Sequence, residues 1–188
     1  MAKRLSEMSL EELWKLFPIF LTAPNDKWGA WYNEEYRRLC VFLSSTGARI
    51  NHIGSTAIKN IWAKPIIDIL VEIPIQTDMN KVKEMVVQNG YICMAENVQN
   101  MSFNKGYTEN GFDEKVFHLH LRYWGNNDEL YFRDYMNDNP TIAREYEELK
   151  LSLWKLYEHD RDGYTDAKYD FVSEYTKKAK EKYKDRYV

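Results

Sequence analysis

Hydrophobic positions recur along this chain with two periods, and the switches between them mark out its elements. Ser9 stands three residues before Glu12, at capping-box spacing, which predicts a short helix to about residue 17, ahead of Pro18. Residues 19–22 read as a short strand, and Pro24-Asn25-Asp26 as a turn that caps the next helix. That helix is predicted over residues 27–46 by the spacing of Trp28, Tyr32, Tyr36, Leu39 and Leu43, with Gly47 as its stop. Residues 49–53 predict a strand broken by Gly54-Ser55-Thr56. Residues 65–73 carry Ile66, Ile67, Ile69, Leu70, Val71 and Ile73, with apolar groups on both faces, as an interior strand requires. Asp68 interrupts this run, and Glu72 lies two alternations further along on the same face.

Met79, Val82, Met85 and Val86 predict a helix over residues 78–89, stopped by Gly90. Strands are predicted at 91–95 and 101–107, then a polar turn at 108–114. The next strand, 115–124, has His118 and His120 on one face and Phe117, Leu119 and Leu121 on the other. The last third is helical: 128–137, then a helix opening on Pro140 with Asn139 as its cap, then a charged turn at 159–164, then a final helix from about 165. No repeat, low-complexity tract or linker interrupts the pattern. The expectation is one α+β domain spanning residues 1–188, with its core from about 19: a mixed, mostly antiparallel sheet with packed helices and a helical C-terminal segment.

Composition narrows the class. Apolar residues make up 44% of the chain and aromatic residues 15%, enough for a core and for half-exposed grooves. A net charge of -3 gives no electrostatic case for nucleic acid or anionic membranes, although a local basic cleft is compatible with it. Cys40 and Cys93 are too few for a disulfide framework and read as reduced core residues. The N-terminal stretch lacks the apolar run of a signal peptide, and no window approaches the ~20 apolar residues that cross a bilayer. A cytoplasmic protein is expected; the sequence leaves the oligomeric state open.

Four groups of residues could carry chemistry. A Gly54-Ser55-Thr56 turn after a strand lets backbone N–H groups approach an anion, and a helix starting there would add its positive end; an ordinary capped turn has the same sequence. Asp68 is a carboxylate inside an aliphatic strand, which calls for a cation, a partner or a strand end. It could hold Mg²⁺ or Mn²⁺ beside phosphates, or pair with Lys64 or an arginine. His118 and His120, joined by His52, could share a metal or an anion, or each be a hydrogen-bonded strand histidine. Lys64, Arg122, Arg133, Lys150 and Lys168 could clamp phosphate and Tyr146 or Tyr164 could stack on a base, although helical lysines are commonly solvated and Tyr146 also fits a core stripe.

The order of these motifs resembles the GrpB-like family. Asn51-His52-Ile53-Gly54-Ser55-Thr56-Ala57-Ile58 followed by Ala63-Lys64-Pro65-Ile66-Ile67-Asp68-Ile69 is similar to its signature. Phe117-His118-Leu119-His120-Leu121, Phe132-Arg133-Asp134-Tyr135, Tyr146-Glu147-Glu148-Leu149-Lys150 and Tyr164-Thr165-Asp166-Ala167-Lys168 resemble its later motifs. The resemblance runs from about residue 19 to the C-terminus. It implies the nucleotidyltransferase superfamily's sheet, with the Gly-Ser turn opening a helix and the next strand carrying metal-binding acids. Some relatives are fused to dephospho-CoA kinase, which implies an accessory role there.

The chain departs from the active superfamily pattern. Two residues after Asp68, where a second acid stands in active members, it has Leu70. Glu72 is roughly 13 Å from Asp68 along the strand, whereas paired metals lie about 4 Å apart. Three functions follow. In the first, a divergent nucleotidyltransferase-like enzyme holds phosphate at Gly54, Ser55 and Thr56 with Lys150 and Lys168, binds a divalent ion at Asp68, and uses His118 and His120 in proton transfer. The second is a non-catalytic nucleotide- or phosphate-binding module. The third is a hydrolase with a metal on His52, His118, His120 and Asp68.

Overall fold

The structure, a computed structural model, describes residues 4–187. The first three residues of the charged N-terminal stretch, and Val188, lie outside the described residues. Five strands and seven α-helices follow in the order α1 (Leu10–Leu16), α2 (Lys27–Phe42), β1 (Arg49–Ile53), β2 (Ile66–Ile73), α3 (Met79–Gln88), β3 (Ile92–Glu96), β4 (Asn100–Thr108), β5 (Gly111–Tyr123), α4 (Asp128–Asp138), α5 (Pro140–Leu153), α6 (Arg161–Asp166) and α7 (Tyr169–Tyr183). No helix among the described residues is long and apolar enough to cross a membrane.

The strands form one open sheet in the order β1-β2-β5-β4-β3. Only β2 and β5 run parallel; the other pairs are antiparallel. As an interior strand, β2 is apolar on both faces, and Ile67, Ile69, Leu70, Val71 and Ile73 are fully buried. Each such side chain contributes about 1.5–3 kcal/mol by leaving water.

The two faces of the sheet differ. Ile67, Ile69 and Val71 of β2, Phe117, Leu119 and Leu121 of β5, and Phe103 of β4 share one face, and with Leu39 of α2 and Val82 and Val86 of α3 they form the main core. The opposite face carries a polar row: Asp68 pairs with His118, which pairs with Asn104, and the next row runs Leu70, His120, Ser102. Over this face lies the helical C-terminal segment. Leu130 of α4 packs on Ile53 and Leu70, and Phe132, Met136, Ala143 and Tyr146 join α4, α5 and α7 in a second core. The polar row therefore faces a cleft between sheet and helices.

Several local expectations are corrected. Residues 19–22 form a single bridge, Thr22 to Ala63, because Pro18 and Pro24 flank too short a run for a ladder. The helix predicted to 46 ends at Phe42. The turn before β5 shrinks to Glu109-Asn110, so that strand starts at Gly111. Asn139 does not cap α5 with its side chain but donates to the Tyr135 carbonyl at the end of α4. Both cysteines are free, as expected; Cys40 is exposed on α2 and not in the core, whereas Cys93 is half-buried and packs against the main core. Residues 159–164, read as a turn, contain the start of α6, whose N-cap Asp160 accepts from the Gly163 N–H.

Candidate functional site

Asp68 stands where β2 passes the turn after β1. Gly54 in that turn has φ +71°, and a Cβ added there would meet Asp68 Oδ2 at 2.3 Å. Glycine is needed both for the backbone conformation and for the close approach of the carboxylate. The helix expected to open at Ser55 is a three-residue 3-10 turn, Ser55–Ala57, too short to bring an appreciable dipole.

Asp68 Oδ1 lies 3.2 Å from His118 Nδ1 and 3.6 Å from His120 Nε2. The far side of the His118 ring meets two donors: Tyr107 Oη at 2.8 Å and an Arg161 guanidinium nitrogen at 3.3 Å, both from Nε2. Guanidinium can only donate. One tautomer satisfies all three contacts, with Nδ1–H donating to Asp68 and Nε2 accepting from Tyr107 and Arg161. Burial, reinforced by Arg161, holds the His118 pKa below its ordinary value against the pull of Asp68. Burial alone would raise the Asp68 carboxyl, but the His118 hydrogen bond and the His120 imidazole outweigh it and hold the carboxyl well below the usual range. His118 is thus a neutral ring fixed on both edges. His120 is freer, with 29% of its side chain exposed against 11% for His118.

Around this trio lies a cleft of about 300 Å³ into which Lys64, Lys150, Lys168 and Arg161 converge, with Asp68 as its one carboxylate. The ammonium groups of Lys64 and Lys168 sit over the Tyr164 ring at 5.2 and 4.0 Å and make no hydrogen bond or ion pair among the described residues. Arg161 has no carboxylate partner there either. Burial, with the charges of Arg161 and Lys168, lowers Lys64 to about 7. Burial, with Lys168, lowers Lys150 to about 7. Burial outweighs the pull of Asp68 and lowers Lys168 to about 8. The cleft opens into a wider groove of about 860 Å³ between α4 and α7, which shares Ser55, Asp68 and Lys168 with it.

The sequence-predicted residues divide. Asp68, His118, His120, Ser55, Thr56, Lys64, Lys150 and Lys168 line the one cleft. His52 does not join them on Asp68's face: it pairs in register with Ile69, whereas Ile53 pairs with Asp68. Its ring stacks on Tyr32 of α2 with centroids 4.5 Å apart, and burial lowers its pKa to about 4. Thr56 is committed to structure, its hydroxyl donating to the Ile66 carbonyl and lying 3.0 Å from His52 Nε2. Lys150, fully buried, donates to the Trp62 carbonyl. Tyr146 is covered by Phe171 and Phe132, each 5.3 Å away, so it is a packing residue and not an open stacking platform. Arg122 pairs with Glu129 and Arg133 with Asp134, both outside the cleft. Glu72 is buried and accepts from the Gly125 N–H and the Asn127 amide. Among the described residues, no three His, Cys, Asp or Glu side chains are grouped so as to hold a metal ion. Sequence reasoning missed Arg161 and Tyr107; the signal for the first was Asp160 three residues before Gly163, a cap for a short helix.

Comparison with known proteins fixes the family. The pattern of the family described as "GrpB protein" matches residues 18–178. The chain belongs to the GrpB family. It is 34% identical over 161 residues to the glutamate-rich protein GrpB of Alkalihalophilus pseudofirmus, covering 83% of this chain and 92% of that one. It is 33% identical over 159 residues to the UPF0157 protein YqkA of Bacillus subtilis, covering 83% of this chain but only 46% of that protein, so this chain spans about half of that relative. The crystal structure of the conserved protein GrpB from Enterococcus faecalis superposes with a TM-score of 0.75 at 29% identity, covering 87% of this chain and 99% of that one. A Cid1 poly(U) polymerase structure with MgGTP bound gives a TM-score of 0.50 at 12% identity, covering 69% of this chain and 42% of that one. That likeness shows the fold alone: this chain has a nucleotidyltransferase-like α+β architecture.

Proposed function

We propose that this GrpB-family protein binds the phosphate of a small phosphate-bearing molecule in the cleft between the polar sheet face and α6–α7. The observation that carries this reading is the imbalance of charge: four cationic side chains against one carboxylate in one cavity. That carboxylate is already engaged by His118 and faces His120. Burial pushes all three lysines toward the neutral form; an anion supplies what solvent no longer does and restores their charge. Lys64, Lys168 and Arg161 are the principal ligands: among the described residues the two ammonium groups have no acceptor, and Arg161 reaches only the neutral His118 ring, with no carboxylate partner. A phosphate, with up to two charges and several acceptor oxygens, matches such a set.

The donors do not fit the pair of divalent ions that the fold family uses. The place of the second acid is taken by buried Leu70, Glu72 is tied to Gly125 and Asn127, and His118 presents a proton to Asp68. His52, on the other sheet face, does not complete a His/Asp metal set. These residues therefore favour a binding or accessory role over two-metal transfer.

Calorimetry of the full chain with inorganic phosphate, pyrophosphate and the four nucleoside triphosphates, with and without Mg²⁺, tests this. Binding is expected without the metal and is expected to weaken in Lys64→Met. Failure of every one of these anions to bind the wild type overturns the reading. One observation favours a second reading, nucleotidyl transfer: His120 is an accessible imidazole beside Asp68 in the cleft wall, placed to give or take a proton. Turnover of a labelled triphosphate that is lost in His120→Gln while binding persists supports it. Binding without turnover under every donor and metal condition removes it.

A further inference from the structure

Beside the basic cleft lies a second cavity of about 310 Å³ with walls of a different kind. The two share His118, His120 and Arg161. The other walls of the second include Leu10 and Trp14 of α1, Met94 of the edge strand β3, and Ser102 and Asn104 of β4. Leu10 and Met94 are 58% and 54% exposed, so apolar surface stays open to water directly beside a charged site. Asn104 is 5% exposed, yet its carboxamide makes no hydrogen bond among the described residues. Its polar atoms are not sealed off, since among the described residues Trp28 Nε1 is the fully buried side-chain polar atom that lacks a partner; the Asn104 carboxamide is open to water or a ligand in the cavity.

The placement of α1 has its own cause. Phe17 at its end packs in a tilted arrangement on Tyr107, the residue that bonds His118, with ring centroids 4.6 Å apart, and on Phe112 at 5.0 Å. The Trp14 carbonyl meets His159 Nδ1 at 3.3 Å, two residues before Arg161. Helix α1 is thus held against the site from both sides, although it precedes the segment matched by the family, which begins at residue 18.

Resting on the phosphate reading above, we infer that this second cavity receives a flat aromatic or heteroaromatic group carried by the phosphate-bearing ligand, with Trp14 as its stacking surface and Asn104 reading its polar edge. Arg161 and the two histidines join the halves of the site. Asp162 at the rim disfavours a second anion there. On this reading the selectivity for the organic part of the ligand is set by α1, while the phosphate is held by the family's own segment.

The test uses ¹⁵N-labelled full-length protein titrated separately with inorganic phosphate and with phenyl phosphate. Both probes are expected to shift the amides of Lys64 and Lys168. Only phenyl phosphate is expected to move the Trp14 indole N–H, and it is expected to bind about tenfold more tightly, the advantage of burying one aromatic ring. Trp14→Ala should abolish that advantage with phosphate affinity unchanged, and Trp14→Phe should retain most of it. Equal affinities in the wild type overturn the subsite and leave the phosphate reading standing. So does an advantage that survives in Trp14→Ala. If neither probe shifts the cleft, the phosphate reading fails and the subsite fails with it.

Discussion

Two clusters of partly buried charge lie on opposite faces of the same sheet, and they are built differently. On the α2 side, Glu35 is buried and accepts from Lys105 at 2.6 Å and from the Tyr91 hydroxyl at 2.9 Å. Every group has a partner: Glu35 also lies 4.0 Å from Arg38, which pairs in turn with Glu34 at 3.2 Å. On the other side, four cations face one carboxylate, and Lys64, Lys168 and Arg161 have no acidic partner among the described residues. A closed cluster such as the first is what a fold tolerates, since burying charge demands pairing. An open cluster such as the second persists only at a stability cost, which the anion proposed above would offset.

The largest expected effect breaks the closed cluster. Glu35→Ala leaves the Lys105 ammonium and the Tyr91 hydroxyl without their acceptor. A loss of about 3 kcal/mol in unfolding free energy is expected by chemical denaturation, with the affinity for pyrophosphate unchanged. Next comes the open cluster. Lys64→Met removes one of three crowded lysines, so stability at neutral pH is expected to hold or rise. Pyrophosphate binding should weaken by about 2 kcal/mol, roughly thirtyfold, the scale of one charge-assisted hydrogen bond. A variant that lost stability and kept its affinity would make the two clusters alike and refute the distinction.

The effect of pH is smaller per unit and separates the clusters without mutation. Lys64, Lys150 and Lys168 titrate near 7 to 8 in the folded state against 10.5 in the unfolded chain. Between these values the unfolded state binds more protons, so stability of the unliganded protein is expected to rise as pH rises from about 7 toward 10. Phosphate affinity is expected to fall over the same interval as the lysines lose charge, with Arg161 keeping a residual. Calorimetry near pH 8 in buffers of different ionisation enthalpy should show protons taken up on binding. No uptake, or an affinity flat from pH 6 to 9, would mean that the lysines do not hold the anion.

Much of this was legible in the sequence, and the exceptions have a common cause. The central strand, Asp68 in it, the His118 and His120 pair and the glycine turn all declare themselves through local spacing. Arg161 did not, because a six-residue helix containing Gly163 is too short to show a period; only its cap at Asp160 marks it. Tyr107 is one tyrosine among 14, and it reaches His118 only through the β4–β5 pairing. Spacing assigns a residue to a face of its own strand, but matching the faces of two strands needs their register. That is why spacing alone groups His52, which stands beside the Gly-Ser turn in sequence, with the site.

His52 therefore supplies the smallest and sharpest test. The β1–β2 register turns it toward α2, where it stacks on Tyr32 and meets Thr56, while Asp68 looks out from the other face. His52→Phe keeps the stack and loses the Thr56 contact, at about 1 kcal/mol of stability; Thr56 still has the Ile66 carbonyl. Pyrophosphate affinity should stay within about twofold of wild type, a change near the limit of measurement. The variant should also flatten the acid side of the stability profile. With a folded-state pKa of about 4 against 6.5 unfolded, His52 makes the wild type lose stability as pH falls through that interval. His118, lowered by burial in the same direction, keeps part of that slope. If His52→Phe instead reduced binding as far as Lys64→Met does, the sheet would not be separating a structural histidine from the two in the site, and the cleft would have to be redrawn through it.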